Sequence, residues 1–176
     1  MKNLEIDILI RSKKCFLYFK DEKSFQKKIE EICQNLFKQS PLKEILKNSK
    51  FTTIAFTFTN NQQIKKINQH TRNKDKSTNV LSFPHFSRDE IEKIIYKNIK
   101  NNYTFLGDII ISCEKIDQEA KKQNKIFKNH LTHLILHSIL HLLGFDHESE
   151  AEAIEMENLE IKILENLNIK NPYINI

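Results

Sequence analysis

Between positions 133 and 147 the chain reads His-Leu-Ile-Leu-His-Ser-Ile-Leu-His-Leu-Leu-Gly-Phe-Asp-His, and no other stretch restricts the fold so tightly. Its skeleton is H-x-x-x-H-x-x-G-x-x-H, formed by His137, His141, Gly144 and His147. Residues four apart on a helix stand on one face, so the imidazoles of His137 and His141 reach a single ion. Gly144 takes the left-handed conformation that ends a helix without a Cβ penalty, and the turn brings His147 back as a third ligand. Three imidazoles and an open fourth position suit catalytic zinc, whose bound water becomes acidic near neutrality. The rival reading is a core helix with incidental histidines among Leu134, Ile135, Leu136, Ile139 and Leu140. Three of the seven histidines in the chain falling at chelating separations favours the metal. His133, four residues before His137, is read as supporting the ligand set rather than joining it, since His147 already completes three.

Zinc peptidases built on this kind of helix carry Glu directly after the first His as general base. Ser138 stands there instead. A hydroxyl with no adjacent base does not deprotonate a bound water at neutral pH, so peptidase chemistry lacks its second half.

At 176 residues the chain fits one domain, 1–176, large enough for a real core. No apolar run reaches membrane-span length, and charged residues interrupt the first eleven positions, so neither an anchor nor a signal peptide is expected. Cys15, Cys33 and Cys113 are odd in number and far apart, which suits reduced core thiols of a cytoplasmic protein. A net charge of +5 favours a polyanionic partner, although the excess is mostly scattered Lys. Arg11, Arg72 and Arg88 are the only arginines, so their positions carry more information than the total charge.

Leu4, Ile6, Ile8 and Ile10 alternate as a strand, and Phe25, Ile29, Ile32 and Leu36 keep helical spacing. Phe51–Thr59 reads as a second strand, and Asn60 as the cap of a short helix through Ile64 and Ile67. Residues 70–79 read as a polar loop carrying Arg72, Lys74 and Lys76, either a solvated rim or a phosphate clamp. Val80–Pro84 follows as a short strand. Residues 86–104, with Ile91, Ile94, Ile95 and Ile99 at helical spacing, are expected as a surface insertion. Phe105–Ser112, opening on Leu-Gly-Asp, reads as another strand. Ser112, Asn129 and Ser149 are placed to cap the last three helices, the third through an S-x-x-E box with Glu152. The expected class is α+β: one small mixed sheet of about four strands packed with five or so helices.

Three segments in this order resemble the bacterial YbeY family: Arg72–Pro84 with its Lys-Asp-Lys-Ser-Thr-Asn-Val-Leu-Ser-Phe-Pro, the Leu106-Gly107-Asp108 strand, and His137–His147. The likeness covers most of the chain, from the second strand to Pro172-Tyr173. It implies a single zinc-bearing α+β domain with a zinc-peptidase-like metal helix. It also implies metal-dependent cleavage of single-stranded RNA in the cytoplasm, in 16S rRNA 3′-end maturation and ribosome quality control, with rRNA and ribosomal subunits as partners. His137, His141 and His147 match the family's zinc ligands, and Arg72 its functional arginine. Ser138, Thr71, Ser77 and Phe145 depart from the family's usual Gly, Tyr, Pro and Tyr. Thr71 and Phe145 thereby remove two phenolic hydroxyls from any proton-transfer role.

The resulting expectation is phosphodiester hydrolysis with one zinc ion per chain, Arg72 steadying charge at phosphorus, and Lys74 and Lys76 near the substrate. Asp146 is expected to fix a histidine ring rather than to act as base. Whether water or the RNA's own 2′-hydroxyl attacks stays open. So do copper, nickel or cobalt as the ion, and two other activities: a non-catalytic, zinc-stabilised ribosome assembly factor and a metallopeptidase.

Overall fold

Alternate residues of the opening stretch are apolar, and the computed structural model, which describes residues 3–97 and 100–174, makes it strand β1 (Leu4–Ile10). β2 (Ser49–Thr59) runs parallel to β1 on one side and to β4 (Asn101–Ser112) on the other. The short β3 (Val80–Pro84) lies antiparallel on β4, giving the order β1-β2-β4-β3. Ile8, Phe56 and Ile109 stand side by side in register, as do Ile10, Phe58 and Ile111. Because side chains alternate across a strand, these rows form one apolar face, along which Phe56, Phe58, Ile109 and Ile111 are buried.

The Leu-Gly-Asp signature proves to be a bulge within a longer strand. Thr53 pairs with Phe105 but Ala55 with Asp108, so β4 holds one residue more than β2 there. Gly107 sits in that bulge at φ +137°, and a Cβ on it would lie 2.2 Å from the Phe83 carbonyl oxygen. Only glycine lets β3 approach so closely.

Seven α-helices cover the sheet among the described residues: α1 (Glu22–Leu36), α2 (Leu42–Asn48), α3 (Asn61–Arg72), α4 (Arg88–Tyr96), α5 (Cys113–Lys122), α6 (Phe127–Leu142) and α7 (Glu150–Asn166). Asn60, Ser112 and Ser149 accept the expected capping bonds. Asn129 does not cap α6, whose N-cap lies three residues earlier at Ile126 with no side-chain bond. α2 forms between α1 and β2 because Leu42 and Ile45 share a face and are both buried. The three cysteines are buried free thiols.

The surface insertion expected at 86–104 is corrected in the same way. α4 buries Ile91, Ile94 and Ile95, the Asn48 amide donates to the Ile94 carbonyl, and β4 already begins at Asn101. Apolar residues three and four apart close a core gap, so this segment is structural; Ile99 lies outside the described residues.

α6 is covered on most of its sides, with eleven of its sixteen residues buried, which makes it a central rather than a surface helix. It packs against β3, β4, α1, α5 and α7. No helix among the described residues is long and apolar enough to cross a membrane.

Candidate metal centre

His130, His133, His137 and His141 follow one another at separations of three, four and four, so they line a single stripe of α6. After Leu142 the helix closes in a Schellman motif: the Phe145 N–H bonds the Leu140 carbonyl at 3.1 Å and the Gly144 N–H bonds the His141 carbonyl at 3.0 Å. Gly144 makes this turn at φ +81°. The chain then doubles back, and His147 brings its ring centroid to 5.0 Å from His141 and 5.5 Å from His137. One ring nitrogen from each of His137, His141 and His147 falls within 4.8 Å of the others. His147 is exposed, whereas the first two are part-buried.

Each helical imidazole is held from behind. The His137 Nδ1 lies 2.8 Å from Glu160 Oε1, and the His141 Nδ1 lies 3.0 Å from the Phe145 carbonyl. A carboxylate and a carbonyl only accept, so both Nδ1 atoms carry the proton and both Nε2 atoms present bare lone pairs. Those lone pairs face one another across 3.1 Å. Two acceptors at that distance repel unless a cation sits between them, and tetrahedral zinc with bonds of about 2.0–2.1 Å wants a similar separation. Burial, with His137 and His147 adding to it, holds His141 down to about 4, so its ring is a neutral donor at neutral pH.

Glu160, on α7, is fully buried and was not anticipated. It also accepts from His133 Nε2 at 2.8 Å and from the Tyr173 hydroxyl. Burial pushes its carboxyl up, but the bonds from His133 and His137 outweigh burial and hold it down to about 2. It is therefore a buried carboxylate surrounded by donors, the outer partner that a metal-ligating imidazole uses. With its Nδ1 turned to that carboxylate, His137 has Nε2 left for a cation, so the residues fit the ion. A sequence clue existed: Glu160 falls between Met156 and Ile163 on the buried stripe of α7, where a charge is out of place.

The remaining candidates are more scattered. His133 sits behind the cluster, one carboxylate removed from His137. Asp146 does not hold a ring: its oxygen is 3.9 Å from His141 Nδ1, which the Phe145 carbonyl already occupies, and instead accepts from the His147 backbone N–H at 2.8 Å. Ser138 is buried and donates to the Leu134 carbonyl at 2.8 Å, turned into the core. Arg72 belongs to the last turn of α3 rather than to a loop; its guanidinium bonds the Ser82 carbonyl of β3, the strand against which α6 packs. Lys74 and Lys76 are exposed in the connection that follows, which the Asn68 amide ties down at the Lys76 carbonyl.

Known proteins resemble this chain over most of its length. The profile of the family Endoribonuclease YbeY matches residues 12–168. The Endoribonuclease YbeY of Bartonella henselae is 39% identical over 170 residues, 97% of each chain. That of Bartonella bacilliformis is 48% identical over 120 residues, 68% of this chain and 71% of its own. The solution structure of TM1509 from Thermotoga maritima shares the fold, with a TM-score of 0.53 at 22% identity over 93% of this chain and 91% of that one. With one profile spanning every element from α1 to α7 and a relative 39% identical over 97% of both chains, the chain belongs to the Endoribonuclease YbeY family.

Proposed function

We propose that this protein is a zinc-dependent endoribonuclease that hydrolyses phosphodiester bonds of single-stranded RNA, acting in the cytoplasm in 16S rRNA 3′-end maturation and ribosome quality control. The observation that carries the reading is the pair of bare Nε2 atoms at 3.1 Å on His137 and His141, with His147 completing the donor set. The relatives' name supplies the substrate class. Bound zinc would contribute a Lewis acid at the phosphodiester. His137, His141 and His147 hold it, while Glu160 and the Phe145 carbonyl keep the two helical rings in the tautomer that ligates. Arg72, anchored at Ser82, is the chain's cation for charge developing on the phosphoryl oxygens, and Lys74 and Lys76 attract the backbone of the strand. Ser138, with its hydroxyl committed to Leu134, takes no proton, which speaks against peptide hydrolysis.

The test is to incubate zinc-loaded protein with single-stranded RNA, duplex RNA and unfolded casein, and to map the RNA ends. Cleavage confined to single strands and abolished by a chelator is the expected result. Peptide products without RNA products, or RNA products that persist after chelation, would overturn the proposal. A 2′,3′-cyclic phosphate end would assign the nucleophile to the RNA's 2′-hydroxyl.

A further inference from the structure

The segment after α7 is built to return to the metal centre. Asn168 takes the left-handed conformation at φ 57°, and the N–H groups of Asn168 and Ile169 bond the carbonyls of Glu165 and Leu164 at 2.9 Å each. This reverses the chain, packs Ile169 on the core, and sends residues 170–173 back along α7. The Lys125 ammonium fixes the strap by donating to the Pro172 carbonyl at 2.9 Å, and the Asn171 side chain accepts from the Tyr173 N–H at 2.9 Å. Tyr173 is thereby aimed inward. Its ring meets His133 edge-on at 5.6 Å between centroids, while its hydroxyl donates to Glu160 Oε2. Burial, and then the carboxylate, raise the phenol's pKa, so the hydroxyl stays protonated and remains a donor.

We propose that Tyr173 is a positioning residue for the metal centre, fixing Glu160 so that this carboxylate holds the His137 ring toward the ion. The inference rests on the metal reading of the three imidazoles. Glu160 Oε1 serves His137 alone, while Oε2 receives both His133 and Tyr173. Those two donors approach Oε2 from α6 and from the tail, so the carboxylate plane cannot rotate without breaking one of them. His133 Nδ1 is buried with no partner, consistent with its only ring proton lying on Nε2 and pointing at Glu160. Without the phenol, Oε2 keeps a single donor and the carboxylate gains a rocking freedom that His137 feels directly. The tail, distant in sequence from every ligand, then sets how firmly the ion is retained.

The experiment compares wild type with Tyr173→Phe, which keeps the ring against His133 and removes only the hydroxyl. Zinc affinity is measured by competition with a chromophoric chelator, ligand geometry by the visible spectrum of the Co2+-loaded full-length protein, and fold by circular dichroism and thermal unfolding. Expected are about tenfold weaker zinc binding, the low end of the loss that follows when a ligand's outer partner such as Glu160 is disturbed, and an altered Co2+ spectrum, with the secondary structure unchanged. Unchanged affinity overturns the proposal, and so does a lowered melting temperature with wild-type affinity, which would mark a merely structural role. In a Glu160→Gln background the same substitution is expected to cause no further loss; additive losses would show that Tyr173 does not act through Glu160. Wild-type protein that takes up neither Zn2+ nor Co2+ would instead refute the metal centre itself, and this inference with it.

Discussion

Replacing Gly144 by Ala tests whether the turn that delivers His147 demands glycine. At φ +81° an L-residue meets its own carbonyl, at a cost of about 1–2 kcal/mol. The added Cβ would also lie 2.8 Å from both Cα and Cβ of Arg88. One of these is backbone, so α4 must move as a unit, and forced overpacking of this kind costs about 1–3 kcal/mol. The sum is about 2–5 kcal/mol. For a chain of this size each kcal/mol lowers Tm by about 2–4 °C, so a fall of roughly 4–20 °C is expected. Urea unfolding of the metal-free protein should show a lower midpoint with an unchanged slope, and zinc competition should show weaker uptake because His147 is displaced. Shortening Arg88 to Ala leaves both obstructing atoms in place and should not rescue the variant. Metal-free stability within about 0.5 kcal/mol of wild type would refute the steric reasoning.

Ser138→Ala removes a hydroxyl bonded only to its own helix and should leave RNA cleavage intact with a stability change of about 1 kcal/mol or less, measured by unfolding and by a nuclease assay. Loss of cleavage would return a chemical role to Ser138. Arg72→Ala should lower kcat about 10²–10³-fold at unchanged zinc content, and unchanged cleavage would remove the arginine from the mechanism. Glu119 accepts from His130 at 3.1 Å and from Asn79 at 3.1 Å; burial raises its carboxyl, yet these bonds outweigh burial and lower it. A depressed carboxylate stabilises the fold above its unfolded value, near 4.3, and loses that contribution as pH falls through the folded value. Glu119→Gln should therefore flatten the acid limb of stability below about pH 4.3, read by thermal unfolding, and an unchanged limb would deny the contribution.

Periodicity carried much of the fold into view. The strands at Leu4–Ile10 and Val80–Pro84, the caps at Asn60, Ser112 and Ser149, and the ligand spacing of His137, His141 and His147 all depend on contacts near in sequence. What stayed hidden depends on distant neighbours. α4 looked like surface because nothing in Ile91, Ile94 and Ile95 names α2 as the element opposite, where Asn48 waits. Asp146 seemed the natural brace for a ring by proximity along the chain, yet the Phe145 carbonyl reached His141 first. Glu160 stands out in the sequence only as a charge on an apolar stripe, and its partners lie 23 and 27 residues away on another helix. The bulge at Gly107 could be read only once Phe83 was known to run beside it.

α6 also has a consequence for when this protein can act. A helix with so much of its surface covered does not persist alone in water, and its wrapping is contributed by segments scattered from Phe25 on α1 to Leu164 on α7. Two imidazoles become neighbours only when that wrapping is whole, so a half-finished or heat-damaged chain offers no fragmentary catalyst. For a protein whose proposed substrate fills the cell, such all-or-none assembly is a built-in safeguard.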